Sequence, residues 1–223
     1  AHNSGSVTAY GQGAFARGDC AGTISASQSG AYAGGITPSN ATITSSGFGS
    51  WAFGSLASDA SMTASSYGSH AEGYIQSYGI ITSSGIGSHA EGFAYGSSKY
   101  SGYGIIASGK GAHAEGYGGK AGNNTVASGD GSHAEGWCTQ ATGKGSHSQG
   151  FYTQATGVYS FAMGVESLAN KLAQIAHGAN MFSVIGDAQT SQYVLRTQTT
   201  NATQTEMFLS GVASNRLVLA NDS

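Results

Sequence analysis

The sequence predicts an all-β protein. It reads as a Gly-, Ser- and Ala-rich parallel β-solenoid, or β-roll, with about 14 residues per coil. The expected assembly is an intertwined or side-by-side homotrimer, closed by a small C-terminal antiparallel β cap. Three observations predict this. A hexapeptide recurs along the chain, a second pentapeptide alternates with it, and bulky aliphatic side chains are too few for an ordinary core.

The hexapeptide GSHAEG stands at 68–73, 87–92 and 131–136; 111–116 differs only by Ala112, and 145–150 reads GSHSQG. Generalised to S-x-A-x-G, the unit also covers 50–54 and 160–164, with looser copies at 14–18, 31–35 and 174–178. The residue before the central Ala or Ser serves as a ruler. His133, His147, Phe161 and Ile175 follow at 14 residues, whereas Trp51, His70, His89, His113 and His133 follow at 19, 19, 24 and 20. The additional residues, as at 95–103 and 118–124, are rich in Gly, Ser and Tyr and read as loops of variable length.

The second unit reads T-x-A-x-G at 125–129, 139–143 and 153–157, with looser copies at 81–85 and 105–109. One period is therefore two five-residue pieces, each closed by Gly. Five residues alternating in-out make a short strand. The Gly that follows permits a turn with positive φ. Helix is disfavoured, because Gly in a helix interior costs about 1 kcal/mol. Strand–turn–strand–turn periods then stack as parallel rungs.

The central Ala or Ser belongs inside the narrow coil. The two flanking residues share the opposite face. They vary as pairs: His/Glu, Phe/Met at Phe161 and Met163, Trp/Phe at Trp51 and Phe53. An all-Ala interior buries little apolar area, about half of what Leu or Ile would supply. The sequence thus predicts an obligate oligomer whose stability is inseparable from association. About ten coils at roughly 4.8 Å each would give a shaft near ~50 Å.

The chain divides into degenerate solenoid repeats over 1–67, SHAEG-type repeats with loop insertions over 68–182, and a C-terminal cap segment over 183–223. The cap is expected as three antiparallel strands, at 192–196, 206–209 and 216–219, hiding the last open edge of the solenoid.

Composition excludes several classes. Only 9% of residues are charged and the formal net charge is −3, which leaves no basic patch for nucleic acid. No apolar run approaches the roughly 20 residues of a membrane helix, so membrane insertion is not expected. Cys20 and Cys138 set no disulfide framework. The chain opens Ala1-His2-Asn3 without Met, which points to a processed product or a cut fragment.

Tandem SHAEG units alternating with T-x-A-x-G units resemble the stalk repeats of bacteriophage tail fibres, tailspikes and neck appendages. They are more distantly similar to the head repeats of YadA-type trimeric autotransporter adhesins, a trimeric parallel β-roll. The segments 186–196, 199–206 and 216–223 resemble the region that, in such phage proteins, precedes a self-cleaving intramolecular chaperone. The resemblance covers residues 68–223; the first 67 fit only the looser unit. It implies a homotrimeric surface fibre on a virion tail or extracellular surface, with a cell-surface glycan or envelope receptor as partner. It also implies a removed C-terminal chaperone, with Ser223 as the processing end. A cut at a chosen boundary would leave the same terminus.

The paired residues invite a chemical reading. His70/Glu72, His89/Glu91, His113/Glu115 and His133/Glu135 each share a strand face, followed by His147/Gln149 and Phe161/Met163. Around a trimer axis, three imidazoles per layer would suffice for a metal. An active site is rarely printed four times, however, and Phe/Met replaces the pair without breaking the period. We therefore expect hydrogen-bonded structural layers, with no catalytic residue, no metal and no cofactor. No pair of acids outside the repeats suggests a glycosidase. Tyr74, Tyr78, Tyr95, Tyr100, Tyr103 and Tyr117 are expected on loops, where they would contact a receptor or cover the trimer seam. The function that follows is a structural attachment protein, the stalk of a trimeric fibre, rather than an enzyme. The non-catalytic stalk of a glycan-degrading tailspike and the subunit of a self-assembling extracellular filament remain as alternatives.

Overall fold

A computed structural model describes residues 5–96, 103–119, 124–212 and 216–218. All regular secondary structure among them is strand. The chain alternates between two sheets. Ten strands, from Ser6–Ala9 to Leu168–Ala169, form one sheet in chain order. Eleven, from Phe15–Cys20 to Gln189–Gln192, form the other. Every neighbouring pair is parallel except the last, where Gln189–Gln192 runs antiparallel to Ile175–Ala179. The all-β class and the parallel many-stranded sheets predicted from the repeat are thus present.

The register follows the sequence ruler. His70, His89, His113, His133 and His147 pair in succession across the long sheet, and Phe161 and Ile175 continue the row. Pairing runs through 67/68 without interruption, since Trp51 pairs with His70. Residues 5–67, within the stretch that matched only the looser unit, therefore build the same two sheets as the rest.

The central Ala of each unit is buried, as expected: Ala52, Ala71, Ala90, Ala114, Ala134, Ala162 and Ala176 are all at 0% exposure. The interior is not all Ala, however. The first position of the second unit also points inward, and there Ile24, Ile43, Met62, Ile81 and Ile105 stack in register. Leu56 and Ile75 add to them from the long sheet. From Thr125 onward the same column is Thr125, Thr139, Thr153 and Ser167, all buried. The early coils thus carry aliphatic bulk, while a separate cluster at the far end contains only Ala155, Ala162, Ala169 and Ala176. The strands shorten in parallel: His70–Gln76 spans 7 residues and Phe161–Val165 spans 5. A narrower coil has room only for Thr and Ala.

In most copies the Ser that opens the S-x-A-x-G unit closes the preceding turn. The Oγ of Ser50, Ser88, Ser146 and Ser160 donates to the carbonyl three residues back at 2.7–2.8 Å. In the last coil Gln174 takes this place, and its Oε1 accepts from the Asn170 and Lys171 amides.

The end of the solenoid is smaller than predicted. The expected strand at 192–196 is shifted to Gln189–Gln192. Beyond it only Arg196 and Phe208 form a bridge, and 216–218 carry no strand among the described residues. Val194, Met207 and Val218 are each more than half exposed, so these segments have no apolar layer to pack on. The edges are covered by other means. Gln189–Gln192 pairs with the long sheet, while the Gln189 side chain serves the short one, accepting from the Leu168 amide and donating to its carbonyl at 2.7 and 2.8 Å. Before this, Asp187 accepts from the amides of Val184, Ser183 and Phe182. These bonds hold its carboxyl down at about 2. Ser223, the expected processing end, and Leu219 lie outside the described residues.

Candidate functional site: ladders on the long sheet

The outward face of the long sheet carries three columns, set by the alternation within each rung. The first is aromatic from one end almost to the other. Phe15, Tyr32, Trp51, His70, His89, His113, His133, His147 and Phe161 stand ring to ring with centroids 4.5–5.6 Å apart. The middle imidazoles are stacked nearly parallel, with 1–3° between the ring planes of His70, His89, His113 and His133. The parallel ladder imposes this spacing, because identical residues in register must sit one rung apart.

The second column lies two residues on: Phe53, Glu72, Glu91, Glu115, Glu135, Gln149 and Met163. Each Glu approaches the imidazole of the next rung, and Glu72 and Glu91 also approach that of their own. Glu72 lies 3.5 Å from His70 Nε2 and 3.6 Å from His89 Nε2. Glu91 lies 3.8 Å from His89 and 3.1 Å from His113. His113 and His133 donate Nε2–H to Glu91 and Glu115 at 3.1 and 3.2 Å. Glu135 approaches His147 at 3.7 Å. Of the predicted pairs, His70/Glu72 and His89/Glu91 are brought together within their rungs, whereas Glu115 and Glu135 turn to the imidazole of the next rung, His133 and His147. About one third of each side chain stays exposed, so each contact contributes no more than about 1 kcal/mol.

Burial lowers the pKa of His89, and the neighbouring His70 lowers it further. His147 is lowered by burial and by His133. Partial burial pushes the Glu115 carboxyl up, but the hydrogen bond from His133 and the charge of His113 outweigh it and bring it below the ordinary value.

The third column is Tyr74, Phe93, Tyr117, Trp137 and Phe151, with centroids 4.8–5.5 Å apart. This corrects the expected placement of the tyrosines. Tyr74, Tyr95 and Tyr117 lie on strands, because strands such as His70–Gln76 and His89–Tyr95 run beyond the HAEG tetrad. Tyr78 sits in a turn with φ of 60° and Tyr103 just before a strand, while Tyr100 lies outside the described residues. The sequence reading missed Phe93, Trp137 and Phe151 as members of this column. The signal was present: each stands directly after the closing Gly of its unit.

Glycines line the space between the second and third columns. One groove of about 540 Å³ is lined by Gly54, Gly73, Gly92, Glu72, Glu91, Phe53 and Ile36. A second, of about 430 Å³, is lined by Glu115, Glu135, Gln149 and their following glycines. The face is thus a strip with an acidic column, a glycine floor and an aromatic column, suited to an extended partner. It contains no nucleophile–base pair. No model of a known protein family matches the chain, and no curated protein matches it significantly.

Proposed function

We propose that the chain is the shaft of a homotrimeric attachment fibre, carried on a virion tail or a related extracellular surface and directed at a cell-surface glycan or envelope receptor. One observation carries this reading: a long parallel two-sheeted shaft exposes uninterrupted ring columns along one face. Trp51, Phe53 and Tyr74 are 49%, 43% and 46% exposed there in a single chain. Large apolar side chains repeated rung after rung are the pattern of a surface that meets something along its length. Two sister chains meet that need in a trimer. The late coils, with no buried aliphatic side chain larger than Ala, gain most from it. On this reading the His/Glu layers are structural, no residue is catalytic, and a C-terminal chaperone is removed after assembly.

The test is the mass in solution at low concentration, together with a glycan array. The expected mass is three times 22.3 kDa. A well-folded monomer at all concentrations would defeat the reading. Polymers of indefinite length would favour the extracellular filament. Release of oligosaccharide by a longer natural chain would favour the stalk of a tailspike.

A further inference from the structure

We propose that the His–Glu ladder binds divalent transition-metal ions, one ion to each His–Glu–His set, and that each chain takes up two. The donors come from consecutive rungs of one chain, not from three chains around an axis, so the sites do not depend on the oligomer. Three sets are within reach: His70/Glu72/His89, His89/Glu91/His113 and His113/Glu115/His133, and within each the donor atoms lie within 4.8 Å of one another.

The distances suit a metal better than they suit hydrogen bonds. A tetrahedral ion with nitrogen and oxygen ligands at about 2.0–2.1 Å holds its donors roughly 3.3 Å apart. Five of the six Nε2–carboxylate separations in the three sets run from 3.1 to 3.8 Å, and His113 and Glu115 stand farther apart, within 4.8 Å. The His–His edge, set by ring stacking, is the longer one and closes by a tilt of the two rings. Independently, Nε2 of His70 and of His89 is shut off from water and makes no hydrogen bond. Polar atoms left in that state are the exception in folded chains. The side chains of the sets are 31–41% exposed, which leaves an ion a path in and room for a water on the remaining position. Two imidazoles with one carboxylate favour zinc, copper(II) or nickel over magnesium or calcium.

The stoichiometry follows from sharing. One Nε2 lone pair serves one ion. The middle set draws both its histidines from its neighbours, so filling the two outer sets leaves it without nitrogen donors. Two ions fit where three sets exist.

Zinc titration of the purified chain, by calorimetry and equilibrium dialysis, tests this. Two zinc ions per chain are expected, with no comparable uptake of calcium. His89→Gln keeps only the last set and His113→Gln only the first, so each should bind one. The double variant should lose both ladder ions. Far-UV circular dichroism checks that each variant keeps its strands. Should the double variant fail to fold, the triple variant Glu72→Gln, Glu91→Gln and Glu115→Gln decides instead. That variant keeps the imidazole stack, removes the anionic donor of every set, and should weaken binding at least tenfold. Absence of zinc uptake by the folded chain, uptake of three ions by the ladder, or unchanged uptake in whichever of these variants folds would overturn the proposal.

Discussion

Two glycines five residues apart should respond very differently to the same added methyl group. Gly87 has φ of 62°, and a Cβ built on it meets nothing within 4 Å. Gly92 has φ of 123°, and its Cβ would overlap the carbonyl oxygen of Gly116 on the next rung and lie 2.9 Å from the Gly116 nitrogen. For Gly87→Ala the only cost is the left-handed backbone, about 1–2 kcal/mol. Restricting the unfolded chain offsets roughly 0.4–1 of that. A net loss near ~1 kcal/mol is expected. For Gly92→Ala the same strain is joined by a collision that neither rung can relieve. The strand His89–Tyr95 is paired on both sides, with His70–Gln76 and His113–Gly118. Moving it to make room breaks ladder bonds worth about 1 kcal/mol each, and the total should exceed roughly 4 kcal/mol. Guanidinium denaturation followed by far-UV circular dichroism, at one protomer concentration, measures both. Hydrogen exchange at the Gly116 amide reports whether the rung has opened. Equal losses, or a larger loss at Gly87, would refute the assignment of the Gly92 column as the place where rungs touch.

Three further outcomes are expected. Ala173 occupies the left-handed turn position at φ of 52°, so Ala173→Gly should stabilise by about 1 kcal/mol, read as a rise in melting temperature of roughly 2–4 °C. Ile81 is fully buried in the early column, so Ile81→Ala should lose about 2–5 kcal/mol in denaturant titration, and a loss below 1 would contradict the aliphatic interior. His89 and His147 have lowered pKa values in the fold, so below their ordinary 6.5 the unfolded chain binds more protons than the folded one. Stability should therefore be complete above pH 6.5 and fall as pH drops through the folded values. A melting temperature unchanged between pH 7 and pH 5 would count against a packed neutral imidazole stack.

The rungs were legible because the repeat is its own ruler. Aligning one residue of each unit returns the pairing of His70 through Ile175 directly. The interior was only half legible. Reading the central Ala as the inward position was correct, but the first position of the second unit is Ile or Met in the early coils and Thr later. Those two types look alike as strand formers and differ in volume, so the taper shows only when the column is seen in register. The tyrosines were misplaced for a related reason. Their segments carry the Gly and Ser of loops, but the sheet extends as far as neighbouring rungs can pair, and Tyr74, Phe93 and Tyr117 had partners. The cap departs in the opposite sense: 206–209 and 216–218 have strand composition, but Met207 and Val218 meet no apolar layer among the described residues.

The same repetition constrains what the outer face can do. A parallel rung places like on like, so any side chain chosen once is chosen for a column. Columns of a single charge repel; the chain avoids this by setting its Glu column beside an imidazole column that can donate to it, at Glu91–His113 and Glu115–His133. Aromatic rings tolerate stacking on themselves, and they take over where the Glu column stops, at Trp51 on one side and Phe161 on the other. The polar stretch is thus a bounded insert within an apolar strip. Replacing His89 by Val and Glu91 by Ile together sets one apolar rung inside the polar insert, between His70/Glu72 and His113/Glu115. Assembly should survive, as it would for a structural layer, while zinc uptake should fall to the single ion of the last set. Loss of assembly together with loss of zinc would mean that the metal holds the shaft together.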